Sequence, residues 1–254
     1  MKTYTFCSIL IINFITFVFP SCLNAEIITT RADTWCPYNC DPKSDSPGLF
    51  IELMQIAFAK DGSTINYETM PWTQALADVR SGLFNSALGV TGFDVVGMQH
   101  SVKPQILSTT CAYALDSSKK IINHASDLKK FKSIGVIKDY SYGAITDKVL
   151  FDIKDRVSFM GTEDALLVNI RRLLDRKIEI LIEDINVMSY QINKRKIKNI
   201  KKIGCTEELV PLWIGFTSSN PKSKKWIEML ELTEKELEKS GKMTEIYAHY
   251  GIKH

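Results

Sequence analysis

Residues 49–90 read LFIELMQIAFAKDGSTINYETMPWTQALADVRSGLFNSALGV, and helical patterns in this stretch alternate with strand patterns. Apolar residues recur every three or four positions over residues 49–60 and again over 73–81, which predicts two helices. Residues 64–68 alternate as a strand does, and residues 86–90 form a short apolar run. Such alternation predicts a parallel sheet with helices on both of its faces.

The pattern continues in both directions from this stretch. A strand is predicted before it, at residues 26–30, and an extended run at 109–115 follows it. A second α/β series then comprises predicted strands at 134–137, 157–159 and 178–182, with helices at 141–151 and 162–175 and another beginning near residue 185. A lone strand at 212–216 and helices at 223–240 and 243–250 end the chain.

This order predicts two α/β lobes joined by extended crossings near residues 109–115 and 205–216. We expect a first lobe at 26–110, a second lobe at 111–205, and a return to the first lobe with C-terminal helices at 206–254. Two lobes joined by two strands form a hinge that can close around a ligand. The ligand of an open α/β sheet lies at the carboxyl ends of the strands.

The N-terminus has the pattern of a secretory signal. Lys2 precedes an apolar stretch at residues 5–19, a break at Pro20, and a cleavage site after Ala25. We therefore expect a signal peptide at 1–25 and a periplasmic mature protein. A membrane anchor is the alternative, but the stretch is shorter than the ~20 residues that a spanning helix needs. Lipid attachment at Cys22 is disfavoured, because the preceding residues fit a bacterial lipobox poorly.

Composition excludes several classes of protein. Of the 254 residues, 45% are hydrophobic and 24% are charged, which excludes a disordered chain, a collagen-like repeat and a multi-span membrane protein. A formal net charge of +3 is too even to indicate nucleic acid or an anionic membrane as a partner. We expect a monomer that binds a small molecule.

Four of the cysteines lie beyond the predicted signal peptide: Cys36, Cys40, Cys111 and Cys205. An even number in an exported protein favours disulfides. Cys36 and Cys40 are close in sequence, and if they pair, Cys111 is left for Cys205; the sequence does not fix this connectivity. A zinc site is the alternative, but no histidine lies near these cysteines.

The sequence lacks the motifs of common enzymes. It contains no Gly-x-Ser-x-Gly elbow, no His-Glu-x-x-His motif and no phosphate-binding Gly-Lys-Ser/Thr loop. Its four histidines are scattered, without the spacing of a metal site or a triad. We therefore expect a binding protein with no cofactor and no metal, rather than an enzyme.

Several short motifs, in this order and spacing, make the chain resemble a known family. It is similar to the bacterial periplasmic solute-binding proteins of amino-acid ABC transporters, which have the type II periplasmic-binding fold. The motifs are Trp35-Cys36-Pro37-Tyr38, Pro47-Gly48 with Glu52-Leu53, Pro71-Trp72 with Ala75-Leu76, Gly135-Val136 with Tyr140-Ser141-Tyr142-Gly143, Ile182-Glu183-Asp184, Phe216 with Asn220-Pro221, and Ser240-Gly241-Lys242 with Tyr250-Gly251. The likeness covers essentially all of the chain after the signal peptide.

The resemblance implies aromatic walls for a ligand. Trp72 corresponds to the aromatic residue that stacks on a ligand side chain in that family, and Trp35 or Tyr38 would supply the opposite wall. From the sequence alone, packing of Trp72 in the core is an equally good interpretation, since tryptophan is usually buried.

The resemblance also implies polar contacts. Gly89, Val90 and Thr91 match the loop that meets the ligand carboxylate, and Ser141 and Tyr142 lie where the second lobe offers a helix N-terminus. Ser141 at a helix start would in any case cap that helix, and an anion could lie beside it.

Asp184 lies where a carboxylate binds the ligand ammonium in the family. Asp184 and Glu183 together end an apolar strand, where a carboxylate could bind a cation or simply cap the next helix. We expect Glu183 only to cap the next helix and Asp184 to bind the ligand.

The chain departs from the family at one functional position. Members usually carry an arginine in a Thr-x-x-Arg pattern to clamp the α-carboxylate, whereas this chain reads Thr91-Gly92-Phe93-Asp94. A lysine elsewhere would not replace the bidentate geometry of a guanidinium. Free α-amino acids are therefore doubtful ligands.

The resemblance implies an exported protein that closes its lobes on a small polar ligand, amino-acid-like or cationic, and delivers it to an ABC permease. Two alternatives remain open. One is a dehydratase that acts on a small acid in the same cleft, and the other is a sensory module that is read by a membrane receptor.

Overall fold

A computed structural model describes residues 25–162 and 164–252 of the chain. Of the predicted signal peptide, residues 1–25, only Ala25 is among the described residues; the rest lies outside them. Among the described residues, no helix combines the length and apolarity that crossing a membrane requires.

The described elements alternate much as the sequence predicts. The strands are β1 (Ile27–Ala32), β2 (Thr64–Thr69), β3 (Ser86–Val90), β4 (Met98–Gln99), β5 (Ile106–Leu115), β6 (Ile134–Ile137), β7 (Val157–Met160), β8 (Ile180–Asp184) and β9 (Ile200–Thr217). The α-helices are α1 (Leu49–Phe58), α2 (Trp72–Ser81), α3 (Ala144–Asp152), α4 (Ala165–Leu174), α5 (Ile185–Arg195), α6 (Ser223–Ser240) and α7 (Lys242–His249). Short 3-10 helices lie at Ala59–Asp61, Ala125–Lys130 and Lys154–Arg156.

The strands form two curled sheet regions that share β9. The strand order is β2-β1-β3-β9-β5-β8-β6-β7, with β4 paired to β9. In the first region β1 runs parallel to β2 and β3, and in the second region β6 runs parallel to β7 and β8. The sequence therefore predicted the parallel strands correctly, although β5 and β9 add antiparallel pairs to both regions.

The long strand β9 joins the two regions. Its 18 residues pair first with β5, from Ile200 to Leu212, and then with β3, from Trp213 to Phe216. Strands β5 and β9 are thus the two connections between two α/β lobes, which confirms the two-lobed architecture. The predicted boundaries of the lobes, at residues 110/111 and 205/206, stay predictions.

The first lobe is built around the amphipathic helix α1. Its residues Leu53 and Phe58 are fully buried and belong to one apolar cluster with Phe216 of β9 and Trp226 of α6. After the short 3-10 turn Ala59–Asp61, Gly62 takes a left-handed backbone with φ 78°, which glycine adopts at little cost. The C-terminal helices α6 and α7 therefore share the apolar cluster of α1.

Both predicted disulfides are present. Cys36 is bonded to Cys40, and Cys111 is bonded to Cys205. Cys111 and Cys205 are register partners on β5 and β9, so the second disulfide cross-links the two connecting strands. The described residues contain no group of His, Cys, Asp and Glu that could hold a metal ion, so the zinc alternative finds no support there.

The start of α3 differs from the prediction. The helix begins at Ala144, three residues after Ser141, with Gly143 as its N-cap residue at φ 102°. Ser141 is instead held outside the helix, because its hydroxyl donates to Asp147 Oδ2 at 2.7 Å and the Tyr142 amide donates to Asp147 Oδ1 at 2.9 Å. The predicted capping role of Ser141 is therefore wrong.

Candidate functional site

A cleft of about 500 Å³, including its mouth, lies between the two lobes. Its walls come from both lobes and from the connecting strands. The lining residues are Asp33, Trp35, Trp72, Leu88, Gly89, Thr91 and Asp94 of the first lobe, Tyr140, Ser141, Tyr142, Glu183 and Asp184 of the second lobe, and Ser108, Thr110, Val210 and Leu212 of β5 and β9.

The polar lining follows the carboxyl ends of parallel strands. Asp33 comes directly after β1, Thr91 after β3 and Tyr140 shortly after β6, and Glu183 lies at the end of β8. This is where ligands bind in open α/β sheets. The cleft is therefore the best candidate for a functional site.

Trp72 is both a core residue and a wall of the cleft. It is 9% exposed and belongs to an apolar cluster with Ala75, Val79 and Val90. Trp72 nevertheless is one of the residues that line the cleft. The two interpretations that the sequence left open for Trp72 are thus compatible.

Trp35 forms a second aromatic wall of the cleft, and Gly89 makes room for it. A Cβ atom added to Gly89, whose φ is 75°, would lie 3.3 Å from the Trp35 ring, closer than side chains usually pack. The Trp35 ring also contacts the Tyr140 ring edge-on, with 6.0 Å between the ring centroids. Trp35 and Gly89 both line the cleft, as expected.

The side chains of two predicted ligand contacts do not line the cleft. Tyr38 is fully buried behind Trp35, stacked on Phe50 with 5.6 Å between the ring centroids, and its hydroxyl lies 3.2 Å from both Asp184 carboxylate oxygens. The Val90 side chain packs in the cluster that contains Trp72, and Val90 is not among the lining residues. We correct the role of Tyr38, which supports the wall rather than forming it; a contact of the Val90 backbone with a ligand stays a prediction.

Glu183 is the most unusual carboxyl group of the cleft. Its Oε1 atom accepts hydrogen bonds from Trp35 Nε1 at 3.1 Å and from the Asp184 amide at 2.9 Å. Its Oε2 atom is buried and has no hydrogen-bond partner among the described residues. Burial raises the pKa of Glu183 to about 8, and the neighbouring charges of Asp184 and Asp33 act in the same direction.

Asp184 is the N-cap of α5. It accepts hydrogen bonds from the amides of Asn186 at 2.7 Å and Val187 at 2.8 Å, and from the hydroxyls of Ser108 and Tyr38. The assignment of the cap to Glu183 is therefore wrong, because the helix begins one residue later. A ligand role for Asp184 stays a prediction, although its oxygens already have protein partners.

Asp33 and Tyr140 connect the two lobes across the cleft. The Tyr140 hydroxyl, in the second lobe, donates to Asp33 Oδ2 in the first lobe. Burial raises the pKa of Asp33 to about 6, while the bond from Tyr140 opposes this rise. Together with the bond from Trp35 to Glu183, this contact links the two lobes across the cleft.

Asp94 occupies the position at which the resembled family carries its clamping arginine. Its Oδ2 atom accepts from the Thr91 amide at 3.0 Å and from the Thr91 hydroxyl at 2.8 Å. Burial raises the pKa of Asp94. The described lining thus contains the carboxyl groups of Asp33, Asp94, Glu183 and Asp184 and no Lys, Arg or His.

The helix N-terminus that was expected to receive an anion already has one. The amides of Ala144 and Ile145, in the first turn of α3, donate to the Glu208 carboxylate at 2.9 and 3.0 Å. Ser141 and Tyr142 do line the cleft, but the Ser141 hydroxyl donates to Asp147 and the Tyr142 hydroxyl accepts from the Ile137 amide at 2.7 Å.

Sequence reasoning missed several lining residues. Asp33 and Asp94 follow strands that were predicted correctly, so the rule about carboxyl ends could have found them. Tyr140 lies in the post-strand loop 138–142, which that rule does place on the cleft, although no separate role was predicted for it. Ser108 and Thr110 lie within β5, where nothing in the sequence distinguishes them from other strand residues.

Known structures have the same fold. An ancestral arginine-binding protein bound to arginine is 16% identical with a TM-score of 0.73, over 88% of this chain and 97% of that one. A structure described under glutathione import via GshT and the cystine ABC importer TcyBC of Streptococcus mutans is 17% identical. Its TM-score is 0.74, over 89% of this chain and 95% of that one. A histidine kinase sensor domain with similarity to periplasmic binding proteins is 16% identical. Its TM-score is 0.72, over 88% of this chain and 95% of that one.

At these identities the likeness establishes the fold: the chain has the periplasmic-binding-protein fold. No family model matches the chain, and no curated protein sequence matches it significantly.

Proposed function

We propose that this protein is an exported solute-binding protein that closes its two lobes on a small polar ligand and delivers it to an ABC-type permease. The observation that carries the proposal is the cleft itself, which takes aromatic and polar side chains from both lobes. A ligand in this position contacts both lobes only when they are closed, so ligand binding and lobe closure are coupled.

The similar structures support the proposal. They include an arginine-binding protein and a cystine ABC importer system, and this chain shares their fold over nearly its whole described length. Their likeness supports the shared fold, and the ligand of this chain is inferred from its own cleft.

A thermal-shift screen of residues 26–254 against amines, amino acids, small carboxylates, sugars and peptides tests the proposal. A ligand at 100 times its dissociation constant stabilises the protein by about 2.7 kcal/mol, which raises the Tm by about 5–11 °C. Small-angle scattering should then show a more compact, monomeric protein with the ligand than without it. A protein that no solute in the panel stabilises would contradict the proposal.

Export is a separate part of the proposal. We expect the signal peptide to be removed, so that the mature protein begins at Glu26 in the periplasm. N-terminal sequencing of the protein from a periplasmic extract tests this, and a chain that retains residues 1–25 in a membrane fraction would contradict it.

A sensory role is the second candidate, because a histidine kinase sensor domain shares the fold at a TM-score of 0.72. The genes beside the one that encodes this chain distinguish the two roles. A neighbouring permease and ATPase favour uptake, whereas a neighbouring receptor or kinase without a permease favours sensing.

A further inference from the structure

We infer that the ligand of this cleft is a small organic cation without a carboxylate, whose ammonium or guanidinium group binds the free Oε2 atom of Glu183. The inference rests on the proposed solute-binding function and names the chemical class of the ligand.

The first argument is the charge of the lining. Asp33, Asp94, Glu183 and Asp184 all lie on the cleft, and no basic side chain lies among the described lining residues. Where these carboxyl groups are ionised, they repel a ligand carboxylate strongly at the low effective dielectric of the cleft. A cation in the same place is attracted by the ionised groups, and its binding favours their ionised form.

The second argument is that the donors suited to a carboxylate are already used. The amide and hydroxyl of Thr91 donate to Asp94. The first amides of α3, at Ala144 and Ile145, donate to Glu208. At both positions where the resemblance implies binding of an anion, the chain supplies its own carboxylate.

The third argument is the unsatisfied acceptor. Glu183 is 1% exposed, and its Oε2 atom has no hydrogen-bond partner among the described residues. A buried acceptor without a partner is costly, and a charged donor restores the lost interaction most strongly. Because Oε1 already accepts from Trp35 and from the Asp184 amide, Oε2 is the atom that remains for a ligand N–H group.

The fourth argument is the aromatic lining beside this atom. Trp35, Trp72 and Tyr140 line the same cleft as Glu183. Aromatic faces attract cations, most strongly where water is excluded. The Trp35 ring is also fixed in place, since its Nε1 atom donates to Glu183.

Matched pairs of ligands test the inference by isothermal titration calorimetry on residues 26–254. Agmatine and arginine, and likewise cadaverine and lysine, differ only by the α-carboxylate. We expect each amine to bind at least about tenfold more tightly than its amino acid, because the carboxylate has no available donor and lies among like charges.

A variant then locates the binding group. Glu183→Gln keeps the shape and the acceptor for Trp35 but removes the charge, and we expect a loss of about 10- to 100-fold in amine affinity. Glu234→Gln is the matched control, because Glu234 is also a buried carboxyl, 7% exposed, but lies on α6 and bonds to Gln105 away from the cleft. The control should bind the amine as the wild type does.

The outcomes separate the inference from the proposed function. Amino acids that bind as well as their amines, or a neutral or anionic solute that binds when no cation does, would overturn the inference and leave solute binding standing. An equal loss of affinity in both variants would remove Glu183 from the site. If no solute of any class bound, both the inference and the proposed function would fall.

Discussion

Glu183 carries an ionisable carboxyl group at a buried position, where a neutral side chain would be more stable. It is buried beside two other acids, Asp33 and Asp184, so its ionised form is destabilised by lost solvation and by repulsion. A purely structural role as acceptor for Trp35 would be served equally well by glutamine. An acid at this position is what the cationic ligand inferred above requires.

Stability should therefore increase when Glu183 is made neutral. Its pKa rises from 4.5 to about 8 on folding, so between these values the folded protein binds a proton that the unfolded chain does not. The free energy of unfolding then falls as the pH rises through this window, by on the order of 3–4 kcal/mol. We expect Glu183→Gln to be more stable than the wild type at pH 8 and equally stable at pH 4.5, as measured by urea unfolding.

Other buried carboxyl groups add to the pH dependence of the wild type and of the variant alike, so the difference between the two proteins reports Glu183. Burial raises the pKa of Asp33 to about 6 and also raises that of Asp94, and both contribute in the same direction as Glu183. Asp61 and Asp127 have lowered pKa values, so both are ionised throughout the window. Glu234 has its pKa raised to about 7 and contributes in the same direction, which makes Glu234→Gln a useful second measurement. A wild-type protein as stable at pH 8 as at pH 4.5, with a less stable Glu183→Gln variant, would contradict the prediction.

The affinity for a cation should rise with pH. Only ionised Glu183 and Asp33 attract a cation fully, and their pKa values are about 8 and about 6. Calorimetry with agmatine should show tighter binding at pH 8 than at pH 6, with release of protons on binding. An affinity that is independent of pH in this range, or one that falls, would contradict a contact with these acids.

The tyrosines near Glu183 do not titrate in this range. Burial raises their pKa values further above the ordinary value, so they stay neutral. The tyrosines that sense the charge of Glu183 are Tyr38, Tyr113, Tyr140 and Tyr142.

At the residue scale, the sequence predicted types of side chain better than their roles. Glu183 and Asp184 were both recognised, but which of them caps α5 depends on where the helix begins, and one residue reverses the assignment. Tyr38 was placed on the cleft by the resemblance to the family. Its ring is instead turned onto Phe50, a tertiary contact that local sequence does not encode.

At the element scale, amphipathic segments with clear ends were predicted most accurately. Helix α6 has the predicted bounds and is followed by Gly241, which takes a left-handed backbone with φ 78°. Strand β9 was predicted only in part, because its first half contains charged residues such as Lys201, Lys202, Glu207 and Glu208 and lacks an apolar run. Its pairing with β5 extends the strand through that polar segment.

The disulfide between β5 and β9 should contribute strongly to stability. It closes a sequence separation of 94 residues, against 4 for Cys36–Cys40, and chain entropy predicts about 4–5 and about 2 kcal/mol respectively. We expect Cys111→Ala with Cys205→Ala to lower the free energy of unfolding by more than Cys36→Ala with Cys40→Ala does. Urea unfolding of the two double variants measures the difference, and equal losses would show that loop closure is not the dominant effect.

At the scale of the whole molecule, the lobes also contact each other outside the cleft. The Thr73 hydroxyl, in the first turn of α2, donates to Asp139 Oδ2 of the second lobe at 2.7 Å. The Asp139 carboxylate thus lies at the N-terminus of a first-lobe helix, where negative charge is favourable. Neither residue lines the candidate cleft, so this contact links the lobes without touching a ligand there.

Weakening this contact should reduce affinity through closure alone. Thr73→Val removes the hydroxyl at an exposed site, and the loss of one hydrogen bond there corresponds to about a two- to fivefold weaker Kd. Because the cleft is unchanged, we expect the loss to appear in a faster koff, while scattering at saturating ligand still gives the closed dimensions. Ser81→Ala is the matched control, since its hydroxyl bonds to Asp78 within the same helix α2 and spans no interface. If both variants bound the ligand with the wild-type koff, the contact between Thr73 and Asp139 would not contribute to affinity, which would contradict the prediction.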